Sequence, residues 1–398
     1  MNIVLTLPGS LADPNSGAPR TALELARHYR ALGHEVLIVS FDDIPGRLGA
    51  RAHLALFPFF LAHHLRRLAR ARPFDVVDGS AGDLWAFAAT TPTAARPLIV
   101  YRSHGSPLIY YEERAQEERL GRLKVSWRDH LYFGRIKTLE QRLSLMRSDL
   151  AIFLSRKEAA SAAAKLGAQP RRSHVVPLGI ARSFLGRPIE PTPEAAGAPV
   201  RIAVVGHYIP RKGVHYAIEA LRAVLAAHPT ASVSFLGTGV PAEQVLRDLD
   251  PAWHARVAVV PYYANEALPE LLRGHHIKLF PTLAEGFGKA LVEAMACGLA
   301  AVGTDAEGVL DILEDGRAGL VVPRRDPSAL AAALTRLIED RALLDRMRRI
   351  AHARAQAFSW ERSASRRLEL YHQALRERPC AAGTPAGRGA ATPWPGKI

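Results

Sequence analysis

The sequence predicts an α/β protein made of two doubly wound domains, each with a parallel sheet between layers of helices. Short, continuously apolar runs rich in β-branched residues alternate with helical stretches, and this alternation restarts after a segment rich in Pro, Gly and Ala. Such runs are typical of parallel strands buried on both faces. In folds of this kind ligands bind beyond the carboxyl ends of the strands, so we expect a cleft between the two domains.

Six candidate strands fall in a first domain, residues 1–185, and six in a second, residues 200–358. The first set is 3–7, 36–40, 75–78, 98–101, 150–154 and 175–176. The second set is 201–205, 232–236, 257–260, 277–280, 300–302 and 320–322. Residues 186–199 are interpreted as the linker. Residues 379–398, rich in Gly, Pro and Ala, are predicted to be a disordered tail.

Composition excludes several classes of protein. The 398 residues are 48% apolar, and no apolar run reaches the length of about 18 residues that predicts a membrane-spanning helix. The amino terminus lacks the basic residues and long apolar stretch of a secretory signal. The two cysteines, Cys297 and Cys380, give no disulfide framework. We therefore expect a cytoplasmic protein.

The net charge of +14 comes almost entirely from arginine and favours anionic partners. Nucleotide diphosphates and acidic lipids are anionic partners that fit this charge. An arginine-rich genome alone is an equally good explanation of the charge. Nucleic acid is not expected as a partner, because the chain has no nucleic-acid-binding motif.

The most informative motif is TLAEGFGKALVEAMACG, residues 282–298. It places two carboxylates, Glu285 and Glu293, around a glycine-rich helix start. The free N–H groups and the dipole of a helix start can bind phosphate, and carboxylates accept hydrogen bonds from sugar hydroxyls. A nucleotide-sugar needs both. The candidate donor-binding residues in this motif are Glu285, Gly286, Phe287, Gly288, Lys289, Ala290 and Glu293. The alternative is a surface helix with an ion pair between Lys289 and Glu293.

This motif closely resembles the signature of glycosyltransferase family 4, P-[ST]-x-x-E-G-F-G-x-x-x-x-E-A-M-A-x-G. With weaker matches elsewhere, the resemblance extends to about residue 378. It implies the GT-B fold, two Rossmann-like domains facing a central cleft, with a last helix at 360–378 crossing back to the first domain. It also implies a retaining, metal-independent enzyme that moves a sugar from a nucleotide-sugar to a hydroxyl acceptor. By this resemblance, Glu293 binds the ribose diol and Glu285 the donor sugar.

The loop at 206–213, GHYIPRKG, resembles the family's G-R-L-x-x-x-K-G, whose two cations bind the leaving diphosphate. Lys212 occupies the lysine position, but His207 stands where the family usually has arginine. Neutral histidine carries no charge and lacks the guanidinium fork. Three alternatives follow: His207 is protonated beside the diphosphate, Arg211 substitutes for the missing arginine, or transfer is impaired.

Four further positions match the family by resemblance. Gly237 lies in a G-x-G turn, and Tyr263 stands where the family lines the nucleobase pocket, where an aromatic face can stack on a base. Gly17 keeps one of two family glycines. His104 follows a strand at the position that contacts donor sugar or acceptor. A plain turn, a packed tyrosine or a structural histidine would explain these residues without a ligand.

The candidate catalytic residues are therefore His104, Lys212 and Glu285. No metal or other cofactor is expected. Asp248-Leu249-Asp250 fits a metal-binding D-x-D formally, but we interpret it as a helix terminus. The adjacent pairs His63-His64 and His275-His276 are not interpreted as metal sites, since helical neighbours point about 100° apart.

The sequence does not define the acceptor, the sugar or the base. An apolar run at 54–60, followed by arginines through 72 and by basic helical sequence at 114–147, predicts docking on an anionic bilayer and a lipid-linked acceptor. An ordinary core helix is the alternative. Cell-envelope polysaccharide, glycolipid and secondary-metabolite glycosylation all fit. Two other functions remain: a non-catalytic nucleotide-sugar binder, which His207 favours, and a phosphorylase or epimerase on the same fold.

Overall fold

The computed structural model describes residues 1–9, 17–43, 50–80, 82–92, 96–166, 173–192, 195 and 197–378. The predicted disordered tail at 379–398 lies outside these ranges. The chain divides into two compact units. The first unit comprises Met1–Tyr111, Ser126–Pro177 and the chain from Trp360 onward, and the second comprises Glu112–Val125 and Leu178–Ser359.

Each unit is built on a six-stranded parallel sheet, which confirms the predicted fold class. In the first unit the strand order is β2-β1-β3-β4-β5-β6 and in the second it is β12-β11-β10-β7-β8-β9. The strands of the first sheet are β1 (Asn2–Thr6), β2 (Glu35–Val39), β3 (Val76–Ser80), β4 (Leu98–Arg102), β5 (Leu150–Phe153) and β6 (Ser173–Val175). Those of the second are β7 (Val200–Val205), β8 (Ala231–Leu236), β9 (Val257–Val260), β10 (Ile277–Phe280), β11 (Ala300–Thr304) and β12 (Leu320–Val322).

Helices alternate with the strands along the described chain. They are α1 (Gly17–Ala31), α2 (Ala50–Ala71), α3 (Trp85–Thr90), α4 (Pro107–Arg119), α5 (Trp127–Leu131), α6 (Thr138–Arg147), α7 (Arg156–Leu166), α8 (Val214–Ala227), α9 (Ala242–Leu246), α10 (Leu268–Leu271), α11 (Lys289–Ala296), α12 (Glu307–Ile312), α13 (Pro327–Glu339), α14 (Arg341–Ala355) and α15 (Trp360–Arg376). A π-helix, Tyr132–Lys137, joins α5 to α6, and short 3-10 helices occupy Phe41–Asp43, Arg182–Phe184, Pro210–Lys212, Pro251–Arg256, Asn265–Ala267 and Glu314–Gly316. No helix in the described ranges is both long enough and apolar enough to span a membrane.

The twelve predicted strands are found with ends that agree to within two residues, and three of them have the predicted bounds. Every residue of β3, β4, β5, β10 and β11 is buried, as continuous apolar runs predict for a sheet covered on both faces. Strand β11 continues two residues past the predicted end, because Gly303 and Thr304 pair with Val321 and Val322 of β12. Glycine and threonine are not strongly apolar, so the apolar run that predicts this strand ends before the strand itself does.

The last helix, α15, belongs to the first unit. Its Tyr371 hydroxyl donates a hydrogen bond to Asp78 on β3 and lies 3.2 Å from the hydroxyl of Tyr29 on α1. The rings of Tyr29 and Tyr371 pack edge to face, with centroids 6.1 Å apart. These contacts hold the carboxyl-terminal helix on a sheet formed at the start of the chain.

One segment differs from the predicted domain bounds. Residues 112–125 fall in the predicted first domain but belong to the second unit, so α4 has residues in both units. The carboxylate of Glu113 accepts a hydrogen bond of 2.8 Å from Arg324, and that of Glu117 accepts one of 2.8 Å from Arg325. The Tyr216 hydroxyl also donates to Glu117, at 3.0 Å. Opposite charges far apart in sequence therefore hold this segment on the second unit.

The predicted linker at 186–199 also differs from expectation, because its described residues belong to the second unit. The Thr192 hydroxyl donates to Asp345 at 2.8 Å, and the Gly274 amide donates to Glu190 at 2.7 Å. A composition rich in Pro, Gly and Ala indicates a lack of regular secondary structure. It does not indicate a lack of tertiary contacts.

Candidate functional site

In the second unit, the candidate donor residues follow four strands that are neighbours in the sheet. The order β10-β7-β8-β9 brings together the carboxyl ends of these strands. The loops are 206–213 after β7, 237–239 after β8, the segment with Tyr263 after β9, and 281–288 after β10. Ligands of doubly wound folds bind at this edge of the sheet.

The loop after β7 packs on the loop after β8. The Tyr208 amide donates to the Thr238 carbonyl at 2.7 Å, and the His207 ring lies against Gly239, where an added Cβ would be 3.1 Å from His207 Cδ2. The His207 side chain is exposed, and its ring has no hydrogen-bond partner among the described residues. The ring is therefore open to a ligand.

Lys212 and Glu285 form an ion pair that joins the loops after β7 and β10. The Leu283 amide donates to the Arg211 carbonyl at 2.9 Å, and the Arg211 guanidinium donates to the Ala284 carbonyl at 3.1 Å. Two of the three candidate cations, Lys212 and Arg211, are thus engaged with the loop that carries Glu285.

Glycine at position 213 makes this contact possible. Gly213 has φ +71°, and a Cβ there would lie 1.8 Å from the Pro281 carbonyl oxygen. No other residue fits so close to a backbone in that conformation. Lys212 therefore lies beside Glu285 for two reasons. Glycine at position 213 allows the two loops to approach closely, and the two side chains carry opposite charges.

The Glu285 carboxylate is charged at neutral pH. Burial alone would raise the pKa of Glu285, but the cations of Lys212 and Arg211 outweigh burial and hold that pKa below its ordinary value. The side chain is 15% exposed. It can therefore accept hydrogen bonds from ligand hydroxyls while it remains ionised.

Helix α11 begins at this loop without a capping side chain. Its N-cap, Gly288, has φ +100°, and the first-turn amides of Lys289 and Ala290 follow it. The start of a helix with uncapped N–H groups suits an anion. Phe287 is 4% exposed, and its ring packs on Phe358 with centroids 5.6 Å apart. Only the main chain of Phe287 is available to a ligand.

The remaining donor candidates of this unit are Glu293, Tyr263 and Gly237. Glu293 lies further along α11 and is 7% exposed. Tyr263 packs on Gly237, where an added Cβ would be 2.8 Å from the tyrosine Cε1 atom. Gly206, His207 and Lys212 line one small cavity with Phe280. The structure thus brings His207, Gly237 and Tyr263 together with the Lys212–Glu285 pair at one sheet edge.

In the first unit, His104 follows β4 as the sequence predicts. The Arg102 Nε atom donates to His104 Nε2 at 3.2 Å. Arg102 is buried, pairs with Asp78 at 3.1 Å and donates to the Thr6 carbonyl at 2.6 Å. Gly17 is the exposed first residue of α1, and the seven residues before it lie outside the described ranges.

Sequence reasoning missed the buried pair of Asp78 and Arg102, which orients His104. A signal was present, because both are charged residues inside otherwise apolar strands. It also missed Arg324, which donates to the Leu283 carbonyl at 3.0 Å, to Asp305 at 3.1 Å and to Glu113 at 2.8 Å. No local pattern indicates that role.

The His275-His276 pair and the D-x-D residues Asp248 and Asp250, which we do not interpret as metal ligands, have structural partners. His276 Nδ1 accepts from the Arg201 amide at 3.0 Å, and His275 Nε2 lies 2.8 Å from the Ser234 hydroxyl. Burial lowers the pKa of each histidine to about 4, so both rings are neutral. Asp250 accepts from Ala252 and begins the 3-10 helix Pro251–Arg256, and Asp248 accepts from Tyr208.

Two family models match the chain. The model described as Glycosyltransferase Family 4 matches residues 15–184, and the model for glycosyl transferases group 1 matches residues 199–340. The chain is also 31% identical over 238 residues to a D-inositol 3-phosphate glycosyltransferase of Acidothermus cellulolyticus. That alignment covers 54% of this chain and 51% of the relative, so the chain spans about half the length of this curated relative.

Solved structures share the fold. Sucrose-phosphate synthase from Thermosynechococcus elongatus superposes with a TM-score of 0.72 at 18% identity and covers 95% of this chain and 100% of its own. The Anabaena protein Alr3699/HepE, in complex with UDP and glucose, superposes with a TM-score of 0.68 at 19% identity and covers 94% and 100%. At these identities the likeness concerns the fold alone.

Proposed function

Because this chain belongs to glycosyltransferase family 4, we propose that it transfers a sugar from a nucleotide-sugar to a hydroxyl acceptor and retains the anomeric configuration. One observation carries this proposal: the Lys212–Glu285 pair lies beside the uncapped start of α11. A cation and free amides suit a diphosphate, and a charged carboxylate suits the sugar next to it.

The donor would lie along the carboxyl ends of β9, β8, β7 and β10. Tyr263 would stack on the base, and Glu293 would accept hydrogen bonds from the ribose diol. Lys212 and the amides of Gly288, Lys289 and Ala290 would bind the diphosphate, and Glu285 would bind the sugar. UDP is the first nucleotide to test, since the Anabaena structure of the same fold holds UDP and glucose.

Catalysis would depend on stabilising charge on the departing diphosphate, which Lys212 and the helix start are placed to do. His207 would be the second contact on that group, because its ring is open while Arg211 holds the loop backbone. His104, fixed by Arg102, would contact the donor sugar or the acceptor. The leaving phosphate itself would accept the proton of the acceptor hydroxyl.

We propose that this reaction uses no metal. Within the described ranges, no group of three or more His, Cys, Asp or Glu side chains is placed to hold a metal ion. A hydroxyl of an inositol phosphate is the first acceptor to test, in view of the name of the curated relative. A lipid-linked acceptor is the second.

A lipid-linked acceptor agrees with peripheral attachment to an anionic membrane through α2. Leu56 and Phe59 on this helix are 42% and 55% exposed. They line a cavity of about 910 Å³ with Phe60, and the same face continues to His63 and Arg67. An apolar face followed by basic side chains is typical of helices that bind an anionic bilayer surface.

Donor hydrolysis without acceptor tests the proposed function. UDP- and GDP-sugars are screened by thermal shift, and free sugar released from the stabilising donor is followed by NMR with and without EDTA. We expect slow release as the retained anomer, unaffected by EDTA, and a loss of about 10²–10³-fold in Lys212→Ala, since removing an electrostatic stabiliser costs this much. Lys124→Ala, an exposed lysine outside the site, is the matched control. A donor that binds without sugar release would indicate a non-catalytic binder instead.

A further inference from the structure

A lysine lies buried beneath the proposed donor site. Lys278, on the inner strand β10, has no exposed surface, and its neighbours across the two adjacent strands are Ala203 and Ala301. Its ammonium group makes one hydrogen bond, of 3.0 Å, to the carbonyl oxygen of Leu279. An ammonium group that is fully buried and makes a single hydrogen bond is strongly disfavoured in its charged form.

The charged groups around Lys278 are those of the proposed site. Its Nζ atom lies 5.3 Å from the centre of the Phe280 ring, and Nζ of Lys212 lies 5.6 Å from the same ring. The ionisable groups that act on Lys278 are Lys212, Glu285 and Glu293. Burial and then the like charge of Lys212 lower the pKa of Lys278 well below its usual value, against the two carboxylates.

The ion pair between Lys212 and Glu285 affects how strongly the surrounding charges favour the neutral or the protonated form of Lys278. While Lys212 stays on Glu285, the charge of that carboxylate is already neutralised. A diphosphate that draws Lys212 onto its own oxygens would leave Glu285 without that partner and would add negative charge. Both changes favour a protonated amine at position 278.

We propose that Lys278 is an uncharged base while the donor site is empty, and that it takes up one proton from solvent when a diphosphate binds. The proton joins the nitrogen lone pair and no other bond changes. Lys278 then acts as an additional cation of the site without touching the ligand. The inference rests on the proposed function insofar as an anion must bind beside Lys212.

Proton uptake is measured by calorimetric titration of the whole chain with UDP at about pH 8, in two buffers of different ionisation enthalpy. UDP is itself deprotonated there, because the last ionisation of a phosphate lies near pH 6. We expect uptake of close to one proton by the wild type and none by Lys278→Met, which keeps the shape of the side chain without the amine. Lys124→Met, at an exposed lysine outside the site, is the control and should keep the uptake.

The pH dependence of affinity is a second readout. Where binding takes up one proton, the Kd of the wild type should rise with pH by up to about tenfold per unit. The Kd of Lys278→Met should be level over the same range. Lys278→Leu serves if the methionine variant fails to fold.

The outcomes separate this inference from the proposed function. UDP binding without proton uptake, or equal uptake in Lys278→Met, overturns the inference and leaves the proposed function intact. Uptake with pyrophosphate that is larger in the wild type than in Lys278→Met, without binding of nucleoside diphosphates, keeps the inference and overturns the nucleotide-sugar function. No binding of either anion overturns both.

Discussion

Glu285 and Glu293 are identical side chains in one motif, and the fold places them in different surroundings. Glu285 is partly exposed and paired with Lys212, whereas Glu293 is buried on α11. The paired carboxylate keeps its charge through a neighbouring cation. We therefore expect their substitutions to affect different parts of the donor.

Substitution of Glu293 should weaken the binding of the nucleoside diphosphate. Hydrogen bonds to charged groups contribute roughly 1.5–3 kcal/mol, so Glu293→Gln should reduce the affinity for UDP about 10- to 100-fold. Titration calorimetry measures this. Glu285→Gln is the matched control and should weaken UDP-sugar more than UDP. Equal UDP affinity in wild type and a folded Glu293→Gln would remove Glu293 from the ribose.

At this scale the sequence predicts residues whose role is local and misses those whose partners are distant. Lys212, Glu285 and the α11 start could be predicted because each lies in a short motif. Arg324 could not, since its role depends on Leu283 and Glu113, which are distant in sequence. Only the folded chain brings these groups within hydrogen-bonding distance.

At the scale of elements, close backbone contacts at glycines hold the donor loops in place. Gly308, in the first turn of α12, donates its amide to the Glu285 carbonyl at 3.1 Å. A Cβ at position 308 would lie 2.6 Å from the Phe287 oxygen and 2.7 Å from the Gly286 oxygen. The start of α11 is therefore positioned by the start of α12.

Gly308→Ala should destabilise the protein and weaken the donor site together. The added methyl must push the 286–287 backbone away, and overpacking of this kind costs typically about 1–3 kcal/mol. Denaturant unfolding measures the stability, and UDP titration measures the site. Gly9→Ala is the control, because nothing lies within 4 Å of a Cβ there. A stable Gly308→Ala with unchanged UDP affinity would show that the loop can move without consequence.

The elements themselves were largely predictable. Apolar runs predicted all twelve strands, because burial on both faces requires such sequence. The assignment of 112–125 to the second unit was not predictable, since this segment carries charges of both signs and nothing local indicates the partners of Glu113 and Glu117. The arginines that pair with it follow β12, more than 200 residues further along the chain.

At the scale of the whole molecule, the charge of +14 predicts attraction to anionic surfaces. Co-sedimentation with vesicles should rise with anionic lipid content and fall with salt, because exposed charges are screened beyond about 10 Å at 0.1 M. Phe59→Ser should lower the vesicle affinity about tenfold, since burying such a side chain contributes roughly 1.5–3 kcal/mol.

Two controls separate the α2 face from the general charge. Arg67→Gln removes a cation from that face, and Arg317→Gln removes an exposed cation of the second unit. We expect only the first to reduce binding to anionic vesicles. Equal recovery with neutral and anionic vesicles would exclude electrostatic attachment.

The division of the chain between the two units also affects when each unit can be completed during synthesis. The first unit needs α15, and the second needs residues 112–125. During synthesis the first unit is therefore complete only after α15 has left the ribosome, while the second unit uses a segment made long before its own sheet. A fragment cut at the predicted boundary near residue 185 would leave Arg324 and Arg325 without their carboxylates and Asp78 without Tyr371. Neither half of the gene encodes a complete folding unit.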